Sequence, residues 1–511
     1  MSTVPLQAFD NHLDMIEVMK VNKIYLRDLV KEIQDTYLAD DRAWIIGYSG
    51  GKDSTAVVSL IYSAMLLLPE KKRSKPIYVV SSDTLVETPV VVDLIKSVLL
   101  DLNIQAGKDK IPLTAHPVYP KADQTFWTNL LGRGYPAPRQ KFRWCTERMK
   151  IDPVSEFIQE KVSTHGEAIV VLGARSDESA SRAQVIANHE IKDSALSRHS
   201  SLANAYTYMP IKSWSADNVW DYLLTAPTPW NTDNNKLFEL YKGSNQGECP
   251  LVIDTSTPSC GNSRFGCWTC TVVTKDKAIH GLVESGETWM QPLLDFRNQL
   301  FESTKPEKKK EYRNSKRRTG KVTYSKYSLQ DDNSSERKHI PGPYWMSVRQ
   351  SWLKDLLEMQ KVINNNGHEL DLITIPELQA IRQHWIRDPN EPDWTDALPR
   401  IYAEVYPDSD IEWVENDAGA FTEPDAKLLE ELGRPEGIPA EMIMKLIEVE
   451  LSTTGLAKRR GIIGRLESVL KKDWDSLEEV KERSDEDHAK ISTWDEELEN
   501  LQTRHSADFS L

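Results

Sequence analysis

The stretch that decides the fold is Ser49-Gly50-Gly51-Lys52-Asp53-Ser54, directly after the apolar run Ala43-Trp44-Ile45-Ile46-Gly47. Two adjacent glycines let the backbone turn tightly and approach a ligand closely. Ser49, Ser54 and Thr55 add hydroxyl groups, and Lys52 adds a point charge. The run from Thr55 to Tyr62 then reads as a buried helix. A strand, a glycine turn and a helix N-terminus together make an anion site, because free N–H groups and the helix dipole aim at one point. The bland alternative is a tight strand–helix turn that binds nothing.

The spacing is not that of a Walker A loop, which needs Gly-x-x-x-x-Gly-Lys-Ser/Thr. Asp53 follows Lys52, and the position five before Gly51 is Ile46. Outward from the hexapeptide, residues 43–225 alternate strand-like and helix-like segments. Strands are expected at 43–48, 76–81 and 167–172, with helices at 55–68, 88–102 and 150–162. Such alternation predicts an α/β fold: a parallel sheet with helices on both faces. Ligands of such sheets sit at the carboxyl ends of the strands.

Two further motifs follow strands. Asp83-Thr84-x-x-Glu87-Thr88 comes after the second. A carboxylate there could hold magnesium or a ribose hydroxyl, or Asp83 could simply cap the helix beginning near Pro89. Gly173-Ala174-Arg175-Ser176-Asp177-Glu178-Ser179-x-x-Arg182 comes after the third. Gly173 permits a turn. Arg175 and Arg182 offer planar forks for phosphate, and Glu178 could fix one of them. The alternative is a surface ion-pair cluster. Met209-Pro210-Ile211-x-x-Trp214 and Asp217-Asn218-Val219-Trp220-x-Tyr222 read as a turn and an amphipathic helix, mostly core.

The chain has 511 residues, a net charge of −15 and five cysteines. Its length suits two to four domains, and its charge argues against a surface that coats nucleic acid throughout. The longest apolar run, Ala56 to Leu68, is shorter than the ~20 residues that span a bilayer. The first residues lack a secretory pattern, so a cytoplasmic protein with no membrane association is expected. The cysteines are too few for a disulfide scaffold and four are clustered. Cys267-Trp268-Thr269-Cys270 is a C-x-x-C pair, Cys260 lies seven residues before it, and Cys145 and Cys249 complete the set. Three close thiols and one distant one suit a zinc site or an iron–sulfur cluster. Inert thiols or a redox pair are the alternative.

The segments read as a helical lead-in at 1–42, the α/β domain at 43–225, a Cys-rich lobe at 226–302, a basic flexible linker at 303–343 and a helical region with an acidic tail at 344–511. From Lys305 to Lys321 there are nine basic and two acidic residues. That stretch, with Tyr312 and Tyr324 for stacking, is the candidate contact for DNA. A solvated linker is the rival reading.

Taken together, SGGKDS, DT-x-x-E, G-x-R-x-x-ES and PI-x-x-W…DNVW-x-Y resemble the phosphoadenosine-phosphosulfate reductase family within the PP-loop ATP pyrophosphatases, over roughly residues 43–275. The chain ends HSADFSL, whereas true sulfonucleotide reductases carry a Glu-Cys-Gly-Leu-His tail. Ser259 to Thr271, SCG-x-x-R-x-GCW-x-C-T, is similar to the signature of the C component of DNA phosphorothioation (Dnd) systems. That resemblance implies an adenine-nucleotide alpha-hydrolase-like fold, a 4Fe–4S cluster, ATP pyrophosphatase activity and insertion of sulfur into a DNA phosphodiester. It implies a cysteine desulfurase as sulfur donor and other Dnd proteins as partners. ATP would be held by Ser49, Gly50, Gly51, Lys52, Asp53, Ser54, Thr55, Gly173 and Arg182. Catalysis would fall to Lys52, Asp53, Ser54, Asp83, Arg175 and Glu178, with Mg2+. Cys145, Cys260, Cys267 and Cys270 would hold the cluster, with Cys249 the rival of Cys145. A tRNA-thiolating PP-loop sulfurtransferase and a sulfonucleotide reductase are the competing functions.

Overall fold

The computed structural model describes residues 12–191, 194–225, 228–230, 232–243, 266–324, 339–409, 411–413, 423–451, 461–475, 479–480, 482–483 and 486. The chain divides into two compact units. The first is residues 1–128, 137–304 and 356–377, and the second is residues 129–136, 305–355 and 378–511.

In the first unit the apolar run before the glycine turn forms β1 (Ala43–Gly47), every residue of which is buried. The other strands of its six-stranded sheet are β2 (Ile77–Ser82), β3 (Leu113–Val118), β4 (Ala168–Val171), β5 (Leu196–Arg198) and β6 (Ala205–Tyr208). Their order is β3-β2-β1-β4-β6-β5, all parallel except the edge strand β5. Trp44 pairs with Ile77 and Ile169, and Ile46 with Val79 and Val171. Strands buried on both faces read as unbroken apolar runs. The pleat then sends alternate residues to opposite cores. Trp44 and Ile46 join Val57, Leu60 and Ile61 on one face, while Ile45 joins Val154, Ile158 and Val170 on the other.

Besides short helices such as His12–Val18, the helices of this unit include α1 (Leu26–Leu38), α2 (Lys52–Leu66), α3 (Pro89–Lys108), α4 (Asp152–His165), α5 (Ala180–His189), α6 (Ala216–Thr225), α7 (Asn234–Gly243), α8 (Lys277–Glu284) and α9 (Gln291–Glu302). α2 is buried over nearly its whole length, as an all-round apolar helix must be. β1 and β4 are neighbours, yet the chain runs from β1 toward β2 and β3 before returning to β4. That reversal opens a crevice at the carboxyl ends of β1 and β4. The glycine turn lies after one strand, and Gly173 lies after the other.

Four features differ from the sequence reading. α1, in the expected lead-in, buries Leu26, Val30, Ile33 and Tyr37 in the core. Residues 226–280, rich in Pro, Asn, Gly and Cys and without the periodicity of regular elements, nonetheless contain α7 and the start of α8. The segment expected to be a flexible linker belongs, from Lys305 on, to the second unit, where Arg313 is buried and donates to the carbonyls of Pro341 and Gly342 at 2.6–2.8 Å. Tyr312, expected to stack on nucleic acid, stacks on Trp352 instead, and Tyr324 packs edge-on against His339.

The second unit is mainly helical, with Ala397–Val405, Glu423–Gly433, Ala440–Leu451 and Ile462–Leu470. Its buried Arg349 pairs with Asp388 at 3.0 Å and donates to the Gly132 carbonyl at 3.0 Å. No helix among the described residues is long and apolar enough to cross a membrane.

Candidate active site

Gly50 adopts φ +71°, a conformation open to glycine at little cost. A Cβ there would also meet Ile95 Cγ1 at 2.7 Å. Gly51 then caps α2 with no side-chain oxygen of its own, so the first turn of the helix keeps its N–H groups for other partners. Ser54 and Thr55 fasten the turn, each donating its hydroxyl to Gly51 O at 2.9 Å. The Ser49 amide donates to Ser54 Oγ at 3.2 Å. The Lys52 amide donates to the hydroxyl of Tyr241, on α7, at 3.1 Å.

Side chains converge on Asp53. Arg175 Nε donates to Asp53 Oδ1 at 2.6 Å, and Lys52 Nζ to Asp53 Oδ2 at 2.9 Å. All three are buried. Gly173 makes this possible, since a Cβ on it would lie 2.8 Å from the backbone C and O of Asp53 and 3.0 Å from the Ser54 amide. Glu178 Oε1 accepts the Arg175 backbone N–H at 3.1 Å. Its other oxygen pairs with Arg182 at 3.0 Å. That contact lacks hydrogen-bond alignment, so Glu178 Oε2 and Arg182 Nη1 are both buried without a directional partner. Burial pushes the Glu178 carboxyl up despite Arg182 beside it. Lys52, Asp53, Ser54, Arg175, Glu178 and Arg182 therefore meet around the glycine turn. Two cations against one carboxylate at Asp53, beside a helix N-terminus, is an arrangement that attracts phosphate.

Asp83 does not cap the following helix. Thr88 occupies the cap position of α3, and Asp83 Oδ1 accepts the Leu85 N–H at 2.9 Å. Burial is the main cause that raises its carboxyl, and nearby Glu87 adds to it. A buried carboxyl with one oxygen so occupied can still meet a cation with the other.

The loop that carries Asp83 also grips the C-x-x-C segment. Trp268 donates its N–H to Val86 O at 2.9 Å, and Thr88 donates its hydroxyl to Gly266 O at 3.0 Å. Thr84 Oγ1 lies 3.3 Å from Cys267 Sγ. Glu87 pairs with Lys150 at 3.3 Å, and its carboxyl lies 3.9 Å from Cys267 Sγ. Burial, then Glu87, push the Cys267 thiol well up, and Cys145 adds a smaller push the same way. The Cys270 N–H donates to Cys267 O at 3.0 Å, closing the pair into a tight turn. Cys145 sits in the short turn Trp144–Thr146 ahead of α4. None of the three thiols is in a disulfide. Cys260 and Cys249 lie outside the described residues. Among the described residues, no group of three or more His, Cys, Asp or Glu side chains could hold a metal ion. The donors that are described, Cys145, Cys267 and Cys270, have the thiol chemistry that an iron–sulfur cluster takes.

Sequence reasoning missed Tyr241, Lys150 and Arg297. Arg297 had a signal: it is a lone cation within the apolar stripe Leu293, Phe296 and Leu300 of α9. Tyr241 had none, because its partner is 189 residues away.

Residues 43–273 match the family model described as the phosphoadenosine phosphosulfate reductase domain. The uncharacterized protein MJ0066 of Methanocaldococcus jannaschii is 28% identical over 240 residues, which is 46% of this chain and 42% of that protein. The match thus spans less than half of that relative's length. Among solved structures, the phosphoadenylyl-sulfate reductase of Candida auris is 14% identical, with a TM-score of 0.27, over 43% of this chain and 94% of that one. The U34-tRNA thiolase NcsA of Methanococcus maripaludis, solved with its 4Fe–4S cluster, is 14% identical, with a TM-score of 0.24, over 64% of this chain and 90% of that one. Over residues 43–273 the chain is thus similar to the phosphoadenosine phosphosulfate reductase domain, and that stretch contains the mainly parallel α/β sheet and its glycine turn.

Proposed function

We propose that this protein is an ATP-dependent sulfurtransferase that adenylates a DNA backbone phosphate and replaces a non-bridging oxygen with sulfur, releasing AMP and pyrophosphate. The observation that carries the reading is the contact between the Asp83–Thr88 loop and Cys267. It brings a thiol segment to the strand-end edge that also presents the glycine turn.

A phosphodiester oxygen is a poor leaving group. When a non-bridging oxygen attacks the α-phosphorus of ATP, pyrophosphate departs and that oxygen becomes part of an AMP leaving group. A sulfur nucleophile then attacks the DNA phosphorus, and AMP leaves with the displaced oxygen. In this reading the N-terminus of α2, Ser49, Gly50, Gly51, Ser54 and Thr55 seat the phosphates, with Gly173 keeping the turn open. Lys52, Arg175 and Arg182 stabilise charge on the α-phosphate and the departing pyrophosphate. Asp53 holds Lys52 and Arg175 in place, and Glu178 holds Arg182. Magnesium, taken by Asp83, would supply further charge neutralisation on the phosphates. An iron–sulfur cluster, as the resemblance implies, would be held by Cys267, Cys270, Cys260 and Cys145 and would supply redox-active iron.

The sulfur donor fits a cysteine desulfurase, and the acidic chain fits partner proteins of a phosphorothioation complex that share the grip on DNA. Incubation with a cysteine desulfurase, radiolabelled cysteine, ATP and either DNA or tRNA tests the substrate. Nuclease-resistant label in DNA supports the proposal. Label confined to tRNA would replace it with tRNA thiolation, and sulfite release from adenylylated sulfate without ATP would replace it with sulfonucleotide reduction.

A further inference from the structure

The second unit holds a cavity of about 330 Å³, lined in part by Lys316, Lys472, Trp345 and Trp474. That volume is at the lower end of the range for small-molecule sites. Lys316 belongs to the basic stretch, yet it is half-buried rather than exposed.

The side chains are built into place. The Lys472 stem packs on Gly320, where a Cβ would lie 2.5 Å from Lys472 Cδ. Lys472 Nζ donates to Pro389 O at 3.1 Å. The Lys316 N–H donates to Asn314 Oδ1 at 2.8 Å. Trp474 Nε1 donates to Val469 O at 2.9 Å, which fixes the indole. Each of the two ammonium groups lies 5.9 Å from the centre of that ring.

Burying an ammonium group is costly unless negative charge meets it. Among the described residues, neither lysine forms an ion pair. The carboxylates of the cavity wall have other partners. Asp473 Oδ2 accepts the Val322 N–H at 2.7 Å, and Asp475 pairs with Arg483 at 2.8 Å. Glu391 Oε2 accepts from Asn314 Nδ2 and from the Met346 N–H. Glu441 is exposed in the first turn of Ala440–Leu451. Burial pulls both ammonium groups down from their usual value. Lys445 adds to this at Lys472, while Asp473, Glu441 and Asp475 offset part of it at Lys316 from a distance. Two cations without ion pairs, beside indole rings in one cavity, match a ligand that joins a phosphate to a planar ring.

We propose that this cavity is a nucleotide site, in which Lys316 and Lys472 hold a phosphate group and Trp345 and Trp474 give the base its apolar surface. The ligand is a free nucleotide or one nucleotide of a DNA strand, which present the same chemistry. The inference does not rest on the sulfur-transfer reading of the first unit.

The test irradiates the full-length protein with azido-AMP or with a single-stranded oligodeoxynucleotide carrying iodouracil, and identifies the crosslinked peptides by mass spectrometry. At least one probe should label the peptide of Trp345 or Trp474. The same ligand without the photoreactive group should displace the label, and inorganic phosphate should compete roughly 10-fold less well, because it lacks the base. Labelling by azido-AMP would identify a free nucleotide as the ligand, and labelling by the oligonucleotide alone would identify a strand. Lys316→Gln combined with Lys472→Gln should weaken the binding that gives this label roughly 10-fold, with circular dichroism as the check of folding. Should that variant not fold, the competition on wild-type protein decides alone. No crosslink at either tryptophan, or one that unmodified ligand does not displace, would overturn the proposal. So would inorganic phosphate competing as well as the nucleotide, or a folded double variant that labels like wild type.

Discussion

Arg175 Nε lies 2.6 Å from Asp53 Oδ1, across 122 residues of chain. The pair ties the turn after β1 to the turn after β4, and it shares Asp53 with Lys52. Breaking a buried pair on one side leaves the other charge stranded, which costs about 3–5 kcal/mol. Asp53→Asn strands two cations, so urea denaturation should show a loss of about that size. A second change, Arg175→Met, should recover part of it. An Asp53→Asn protein as stable as wild type would mean the pair does not organise the site.

Tyr241 occupies an amide that a bound phosphate would use. Its hydroxyl accepts the Lys52 N–H, and its ring lies near Lys52 Nζ at 5.6 Å. Tyr241→Phe keeps the ring and frees that amide. At a net worth of about 0.5–1.5 kcal/mol for one hydrogen bond, ATP should bind roughly 2- to 10-fold more tightly. Calorimetric titration measures this, and weaker binding would show that the hydroxyl contacts the nucleotide rather than holding its place.

Glu377 supplies a pH dependence. It is buried, accepts from the Thr374 N–H and hydroxyl at 2.8 Å, and burial raises its carboxyl. An acid whose folded pKa is raised binds more protons folded than unfolded, so its contribution is full at acid pH and is lost as pH rises through the raised value. Glu377→Gln should remove that loss. Thermal melts should show the variant gaining on wild type as pH climbs from about 4 toward neutrality. Parallel pH profiles would contradict this.

In the proposed function, DNA contact through the basic stretch falls to its exposed members, because Arg313 is spent on carbonyls. Lys310, Arg317 and Lys321 are exposed. Reversing them should weaken DNA binding and flatten its salt dependence, by roughly 0.9 in log–log slope for each phosphate no longer neutralised. An unchanged slope in a filter-binding titration would exclude this stretch as the DNA-binding surface.

The glycine turn was legible because its signals are local: two glycines, their hydroxyl neighbours and the apolar runs on either side lie within one stretch of chain. The largely parallel sheet around it followed from strand–helix alternation, but its strand order did not. What was not legible depends on partners far away in sequence. The sequence left Asp83 open as a helix cap or as a ligand of magnesium or ribose, yet Thr88 stands nearer the start of α3 and takes the cap place. Arg313 looked like part of a solvated basic run, because the carbonyls of Pro341 and Gly342 that bury it come 28 and 29 residues later. Tyr241 gave no sign at all, since a tyrosine on a polar helix has many uses and only the tertiary structure points it at Lys52.

The most direct test of the central claim is product identification from ATP labelled at the α-phosphate, with and without DNA, using protein purified without oxygen. The account predicts AMP and pyrophosphate, stimulation by DNA, and loss of both in Lys52→Ala and Ser54→Ala. ADP and phosphate, or AMP formation that survives those substitutions, would contradict it.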